Sequence, residues 1–189
     1  MIEPLPFPGR IPTPQENGWI QTFTGRAFWP LAPQPEEVVI EDVAHALAHL
    51  CRYTGHTRTF FSVAQHSVLA SHAVPAADAL WALLHDASEA YLADVARPVK
   101  AFLPEYRVAE ERLELCIARR FGLPWPMPAS VREADRRLLA TERRDLMTRP
   151  PAPWLSTEQV DPYPEVIAPW TPRVAEVQFL ARFKELGGR

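Results

Sequence analysis

Apolar residues recur at helical spacing in several separate segments of the chain. The first segment begins at Ile40, where IEDVAHALAHLCRY places Val43, Ala44, Leu47 and Leu50 on one face of a helix. No segment shows sustained strand-like alternation of apolar and polar residues, and no internal repeat is evident in the sequence. The pattern therefore predicts an all-α fold, organised as a helical bundle.

Local signals predict where the next two helices begin. Ser62-Val63-Ala64-Gln65 has the form of a capping box, which predicts a second helix running to about His72. Pro75 suits the first turn of a third helix, because the N–H that proline lacks would have no partner there. The apolar pattern PAADALWALLHDASEAYLADV predicts that this third helix continues to about Leu92.

Three more helices are predicted in the second half of the chain. EYRVAEERLELCIARRF has apolar residues on a charged background and is followed by Gly122, which is typical of a helix end. A fifth helix is predicted to begin near Pro128, and a last one to run from about Pro172 to Gly187-Gly188.

The 21 prolines of the chain occur in clusters. These clusters indicate non-helical segments before and between the predicted helices. Residues 1–39 are predicted to form an extended arm, with a short hairpin around Thr24-Gly25-Arg26. Residues 149–172 are predicted to form a proline-rich crossing. The 189 residues suit one core better than two, so we predict a single domain over residues 1–189.

Composition and charge narrow the possible partners. The net charge of -3 and the isoelectric point near 6.1 argue against nucleic-acid binding, which normally requires a basic surface, but they allow a small anionic ligand. The sequence has no apolar run of about 18 residues and no signal peptide pattern, so we expect no membrane partner and a cytoplasmic location. Cys51 and Cys116 are too few for a disulfide framework and are expected to be reduced.

The adjacent pair His85-Asp86 interrupts the apolar stretch LWALLHDASEAYL. Burying two ionisable groups is costly unless a partner compensates them. A divalent transition metal is such a partner, since neutral imidazole and ionised carboxylate bind zinc, manganese, iron, cobalt or nickel.

Two further residues supply a complete ligand set from different helices. His66 lies on the second predicted helix and Asp135 on the fifth, so two nitrogens and two carboxylates can converge inside a bundle. Alone, His66 is more often a core or surface histidine, and Asp135 an ordinary solvated aspartate. The joint pattern favours metal binding.

His66, then His85-Asp86, then Asp135 resembles the His...His-Asp...Asp signature of the HD-domain phosphohydrolases. The segment HDASEAYLADVARPVK is similar to that of bacterial 5'-deoxynucleotidases and of small phage dATP triphosphohydrolases. The resemblance covers residues 41 to about 146. It implies one divalent transition metal, with room for a second ion such as magnesium on the phosphates, a small-molecule nucleotide as ligand, and a homo-oligomer, since the related deoxynucleotidases form dimers.

The resemblance also implies roles for residues around the metal. Glu89 would orient or deprotonate the attacking water, and its position one turn after His85 independently places it on the side of the metal. Asp94 would assist proton transfer at the leaving group. Arg52 and Lys100 look like the phosphate-binding cations of the family. Tyr53 stands where the better-known deoxynucleotidases have tryptophan, which puts selectivity for deoxyribose in doubt.

Three functions follow as alternatives. The first is a deoxynucleoside 5'-monophosphatase, the second a dNTP triphosphohydrolase that cuts at the α-phosphate, and the third a catalytically idle, metal-stabilised nucleotide-binding module. His45 and His49 lie four residues apart and suit a second metal, but the sequence reveals no third ligand near them, so packing or a surface position is favoured.

Overall fold

The structure, a computed structural model, describes residues 18–157 and 159–188. The described chain is mainly helical, with one two-stranded antiparallel sheet in which Ile20 pairs with Phe28. The all-α prediction is confirmed. The strands are β1 (Ile20–Gln21) and β2 (Ala27–Phe28), and the helices of the described residues are α1 (Ile40–His49), α2 (Val63–His72), α3 (Ala79–Leu84), α4 (Glu89–Leu92), α5 (Arg97–Lys100), α6 (Pro104–Arg120), α7 (Ala129–Leu146) and α8 (Pro172–Glu185).

The hairpin before α1 is held on the bundle by Asp42. Its turn closes where the Gly25 N–H donates to the Thr22 carbonyl, and Gly25 has φ +81°, a conformation that glycine adopts without strain. The backbone N–H and the hydroxyl of Thr24 both donate to the carboxylate of Asp42, at 2.7 and 3.0 Å. The predicted hairpin is confirmed.

The rest of the segment predicted as an extended arm packs against the bundle where the structure describes it. Pro35–Glu37 form a 3-10 turn, and Phe28 and Val38 are fully buried in the main core. These residues pack because their side chains are large and apolar, so the segment before α1 closes one side of the core. Residues 1–17 of the predicted arm lie outside the described residues.

Helix α2 lies at the centre of the bundle, in contact with α1, α3, α7 and α8. It begins as predicted, because the Ser62 side chain accepts a hydrogen bond from the Gln65 N–H. The Gln65 side chain does not close the capping box; it binds the Ala168 carbonyl and the Trp170 N–H, both at 2.8 Å. Since α2 is surrounded by helices, polar side chains on it such as His66 are buried.

The predicted third helix is not continuous. A 3-10 turn at Ala76–Asp78 leads into α3, and α3 ends at Leu84. From there to α4, N–H groups bond to carbonyls three residues back, as in Ala87 to Leu84 and Glu89 to Asp86. The tight turns place His85 and Asp86 in an interruption between two short helices rather than within a regular one.

The later helices agree with the sequence patterns. Helix α6 ends before Gly122, which has φ +65°. Helix α8 begins at Pro172 and is capped by Thr171, whose side chain accepts a hydrogen bond from the Val174 N–H. The short helix α5 was not predicted. It begins at Arg97 with Pro98 in its first turn.

The predicted crossing contains no α-helix in the described part of residues 149–171, and α8 begins at Pro172; side chains of α7 contact the crossing. Arg144 donates to the carbonyls of Tyr163 and Glu165, and the Thr141 hydroxyl accepts from the Tyr163 N–H. Cys51 and Cys116 are free thiols, as predicted. Among the described helices, none combines the length and apolar character needed to span a bilayer.

Candidate metal centre

Three helical regions bring the predicted ligands together. His66 lies in α2, His85 and Asp86 follow α3, and Asp135 lies in α7. The Nε2 atoms of His66 and His85 are 3.2 Å apart, and the His66 Nε2 is 3.3 Å from Oδ1 of Asp135. One ligand atom from each of these three residues lies within 4.8 Å of the other two.

Asp86 stands beside the same point. Its Oδ2 atom is 3.3 Å from the His85 Nε2 and 3.6 Å from the His66 Nε2. The same oxygen lies 3.4 Å from an Nη1 of Arg52, so this carboxylate is shared between the imidazoles and the guanidinium. All four predicted ligands therefore converge.

The outer nitrogens of both imidazoles are occupied. The His85 Nδ1 lies 2.7 Å from the Ala82 carbonyl, which only accepts, so this nitrogen carries the hydrogen. The His66 Nδ1 lies 2.5 Å from Oε1 of Glu142, a carboxylate that accepts in the same way. A histidine whose Nδ1–H is held by a carbonyl or carboxylate is the usual form of a metal ligand, with the lone pair of Nε2 directed at the ion.

With each Nδ1 atom carrying a hydrogen, the two Nε2 atoms face each other at 3.2 Å, so a proton or a metal cation must lie between them. A divalent cation there would take the place of the proton. Ligand atoms at about 2.1 Å from a transition metal are separated by about 3.0 to 3.4 Å for angles of 90 to 109°. The 3.2 Å between the two Nε2 atoms and the 3.3 Å from an Nε2 atom to an oxygen of Asp135 or Asp86 fit this range. The 3.6 Å from the His66 Nε2 to Asp86 is slightly longer.

The electrostatics of the centre favour positive charge. Burial and Arg52 lower the pKa of His66, but Glu142 and Asp135 outweigh them and raise that pKa to about 9. Burial raises the pKa of Asp135, yet His66 outweighs burial and brings it down to about 2. Asp86 has its pKa lowered by His85, His66 and Arg52 against the effect of burial. Both carboxylates are thus ionised and ready to bind a cation.

Glu142 is the principal residue that sequence reasoning missed. It is fully buried and receives hydrogen bonds from His66, from Nε and Nη2 of Arg52 and from the Tyr53 hydroxyl, the last at 2.6 Å. Its spacing of seven residues from Asp135, two helical turns on the same face of α7, is the signal that points to it. Asp145, the competing ligand candidate on α7, is engaged instead by Arg144 and by the Ile167 N–H.

A cavity of about 630 Å³ opens onto the centre. Asp86 and Asp135 form part of its wall, together with all the other predicted site residues: Glu89, Asp94, Arg52, Tyr53 and Lys100. The two histidines lie behind this wall, fully or almost fully buried.

Glu89 lies in the wall at the start of α4. Its Oε2 atom is buried and has no hydrogen-bond partner among the described residues. Burial raises the pKa of Glu89 well above its usual value, and the charges of Asp86 and Asp94 add to the effect. Asp94 is less buried, and burial is again the largest reason that its pKa is raised. It follows Ala93, which has the strained combination φ +64°, ψ +159°.

The predicted cations differ in how they are held. Arg52 follows α1 and is fixed by Glu142 and Asp86, while the next residue, Tyr53, has φ +56° and covers Arg52 with its ring. Lys100, at the end of α5, pairs with Glu110 of α6 at 2.5 Å. Both cations line the cavity. Arg52 is held in one position by two carboxylates, whereas Lys100 is paired with a single carboxylate.

Comparison with known proteins places the chain in a family. No family model matches it. The uncharacterized protein YfdR of Escherichia coli (strain K12) is 41% identical over 170 residues, which make up 89% of this chain and 95% of YfdR. The chain belongs to the YfdR family. The uncharacterized protein RCAP_rcc00048 of Rhodobacter capsulatus is 38% identical to this YfdR-family chain over 129 residues, 63% of this chain and 66% of that protein.

The structure of this YfdR-family chain adds two cavity residues and one nearby carboxyl group that the sequence analysis did not select. Arg97 lies at the start of α5, and Trp154 lies in the crossing with its ring 5.9 Å from that of Tyr53. Glu114 of α6 is not part of the cavity wall; burial, together with the charge of Glu110, raises its pKa to about 7. Arg97 has a signal in the sequence segment RPVK, whereas Trp154 lies in a segment without helical period.

Proposed function

We propose that this YfdR-family chain is an enzyme, a metal-dependent phosphohydrolase of the HD-domain type, acting on the 5'-phosphate of deoxynucleoside monophosphates. The observation that carries the proposal is the pair of facing Nε2 atoms of His66 and His85, flanked by two ionised carboxylates at the wall of a cavity that also contains cations. A cavity with convergent polar groups and shifted pKa values is typical of an active site.

His66, His85, Asp86 and Asp135 would hold the ion, which is cobalt, manganese, zinc, nickel or iron, with room for a second ion such as magnesium on the phosphates. When bound, a divalent metal supplies a Lewis acid for phosphate oxygens and lowers the pKa of water. The donor set of two nitrogens and two carboxylate oxygens fits such an ion. Asp86 and Asp135, both half-buried, line the cavity, so a bound ion would be within reach of water and of a phosphate oxygen there.

Glu89 accepts the proton of the attacking water. Its carboxyl group lies at the cavity wall beside Asp86, and its raised pKa, caused chiefly by burial, makes it a stronger base than an exposed carboxylate. The water oxygen forms a bond to phosphorus as the bond from phosphorus to the ester oxygen breaks. Asp94, whose pKa is also raised, donates the proton that the leaving ester oxygen needs. The products are a nucleoside and inorganic phosphate.

Arg52 and Lys100 bind the phosphoryl group from two sides of the cavity. The Arg52 side chain is 11% exposed and is held by two carboxylates, so its guanidinium is already oriented when the phosphate arrives. Lys100 must exchange Glu110 for a phosphate oxygen, which its flexible stem permits. Arg97 adds a third cation to the same wall.

Trp154 and Tyr53 provide the aromatic part of the cavity. An indole and a phenol ring with centroids 5.9 Å apart offer surface on which a nucleobase can stack. The Tyr53 hydroxyl is occupied by Glu142, so this residue presents its ring rather than a hydrogen-bonding group. The arrangement supports a nucleotide as the ligand.

A dNTP triphosphohydrolase is the second candidate. Arg97 favours it, because a third cation beside Arg52 and Lys100 suits the larger charge of a triphosphate. Cleavage at the α-phosphate would release a nucleoside and tripolyphosphate.

A catalytically idle nucleotide-binding module is the third candidate, and Glu89 counts against it. A buried carboxyl oxygen without a partner costs free energy, and binding alone gives no reason to keep it there.

We also propose that the protein is cytoplasmic and forms homo-oligomers. Phe102, which is 85% exposed, and Val99, which is 54% exposed, give the end of α5 an apolar surface suited to contact with a second copy.

Hydrolysis assays test the function and separate the candidates. Metal-stripped protein is resupplied with cobalt, manganese or zinc and incubated with dNMPs, NMPs and dNTPs. Phosphate released from dNMPs supports the first candidate, and tripolyphosphate released from dNTPs supports the second. Metal binding with no hydrolysis of any nucleotide would refute both and favour the binding module.

A further inference from the structure

A second group of metal-ligand side chains lies between α1 and α8. His45 and His49 are one turn apart on α1, and Glu176 lies on α8, which packs along α1. One ligand atom from each of the three lies within 4.8 Å of the others. Glu176 is the third ligand that the sequence could not place, because 131 residues separate it from His45.

The contact between His45 and Glu176 has the spacing of two metal ligands. The His45 Nδ1 and the Glu176 Oε2 are 3.2 Å apart. A charge-assisted hydrogen bond between such groups is normally about 2.7 to 2.9 Å. Two ligands at about 2.1 Å from one ion are separated by about 3.0 to 3.4 Å. The observed distance lies within the range for two ligands of one ion and at the long end of the range for a direct hydrogen bond.

Both imidazoles are held in place by contacts that do not use up their metal-binding capacity. The Phe23 ring stacks on His45 at 3.7 Å with an interplanar angle of 8°. The His49 Nδ1 donates to the His45 carbonyl at 2.8 Å, which leaves its Nε2 lone pair available. The His45 and Glu176 side chains are 31% and 24% exposed, so an ion can reach them from solvent.

We propose that His45, His49 and Glu176 form a second binding site for a divalent transition metal such as Zn²⁺ or Ni²⁺. Two imidazoles and one carboxylate are a suitable donor set for these ions, with water in the remaining positions. None of the three residues lines the 630 Å³ cavity, so the site is separate from the centre at His66 and does not depend on the proposed hydrolysis.

Occupation of this site would connect three parts of the fold. His45 carries the contact with the hairpin through Phe23, His49 is the last residue of α1, and Glu176 belongs to α8. A bound ion would thus stabilise the folded state, because the unfolded chain does not hold the three ligands together.

Zn²⁺ binding to untagged full-length protein tests the proposal. We expect wild type to bind two equivalents in calorimetry and elemental analysis, and His49→Ala to lose one of them. In the Asp86→Ala background, which removes a ligand of the other centre, Zn²⁺ should still raise Tm, and adding His49→Ala should abolish that rise. His72→Ala removes a different exposed histidine, at the end of α2, and should leave stoichiometry unchanged.

Two further results make the outcome independent of any one variant. Glu176→Gln should weaken Zn²⁺ binding at this site about tenfold or more while the other equivalent keeps its affinity. Ni²⁺ added to Asp86→Ala protein should broaden the NMR signals of the His45 and His49 rings before those of His72. Retention of both equivalents in His49→Ala with wild-type affinity, or early broadening elsewhere, would overturn the proposal.

Discussion

His66 and Glu142 are 76 positions apart in the chain and share a hydrogen bond of 2.5 Å between Nδ1 and Oε1. Glu142 is fully buried and also accepts from Arg52 and Tyr53, so its carboxylate has no freedom to turn away. The contact fixes which nitrogen of His66 faces the centre. It also joins the ligands to Arg52, the cation that we assign to phosphate binding.

Glu142→Gln tests this coupling. Glutamine keeps the volume of the side chain but loses the charge that holds the Nδ1–H of His66. We expect metal affinity to fall about 10- to 100-fold, as measured by chelator competition. Glu133→Gln, at an exposed position of α7 where Glu133 pairs with Arg136, is the matched control. Equal affinity of Glu142→Gln and wild type would refute the role of this contact.

Glu89→Gln tests the assigned general base. The variant should bind metal as wild type does, because Glu89 is not among the ligands, while kcat for nucleotide hydrolysis falls about 100- to 10,000-fold. Asp86→Ala provides the contrast, since it should lose both metal and activity. Unchanged kcat in Glu89→Gln would remove the assigned role.

Glu114→Gln tests the effect of a buried carboxyl on stability. The pKa of Glu114 is raised from 4.5 to about 7, chiefly by burial, because the folded state favours the neutral carboxyl group. The contribution of this group to the free energy of unfolding is therefore fully present below pH 4.5 and is lost as pH rises through 7. A shift of this size corresponds to about 3 kcal/mol. In metal-free protein, the free energy of unfolding should therefore decrease less between pH 5 and pH 8 in the variant than in wild type.

Urea unfolding at the two pH values measures this difference. Glu111→Gln, at an exposed position on the same helix, should behave as wild type does. Parallel pH dependence of wild type and Glu114→Gln would show that Glu114 does not titrate in this range.

Trp154→Ala tests the aromatic wall. If the indole stacks on a nucleobase, its loss should raise KM for a deoxynucleotide about tenfold and leave KM for deoxyribose 5-phosphate, which has no base, unchanged. Leu155→Ala changes the neighbouring residue, which is 83% exposed, and should affect neither substrate. Equal increases for both substrates in Trp154→Ala would rule out base stacking.

The sequence predicted the parts of the fold that local rules determine. Ser62 identified the start of α2 through its cap, Gly122 the end of α6, and Thr24-Gly25-Arg26 the hairpin. The pair His85-Asp86 could be selected because two ionisable groups inside an apolar stretch need a partner. His66 and Asp135 were selected by the joint pattern and by its resemblance to the HD-domain signature, since each alone would be an ordinary polar residue.

Contacts across the bundle could not be predicted in the same way. The break after Leu84 arises where His85 bonds to the Ala82 carbonyl and the following turns tighten, although the apolar period continues through it. The contact of Glu142 with His66 depends on the packing of α7 against α2, and that of Glu176 with His45 on the packing of α8 against α1. Trp154 lies in the crossing and lines the cavity. The position of the crossing is set by contacts with side chains of α7, such as Arg144, and not by a local sequence pattern.

Anomalous diffraction from crystals grown with Co²⁺ or Zn²⁺ tests the central claim most directly. Our account predicts a peak at about 2.0 to 2.2 Å from Nε2 of both His66 and His85, with oxygens of Asp86 and Asp135 completing the set. The peak should be absent in Asp86→Ala crystals grown in the same way. A wild-type crystal with no density between the two imidazoles, at metal concentrations that support hydrolysis, would contradict the account.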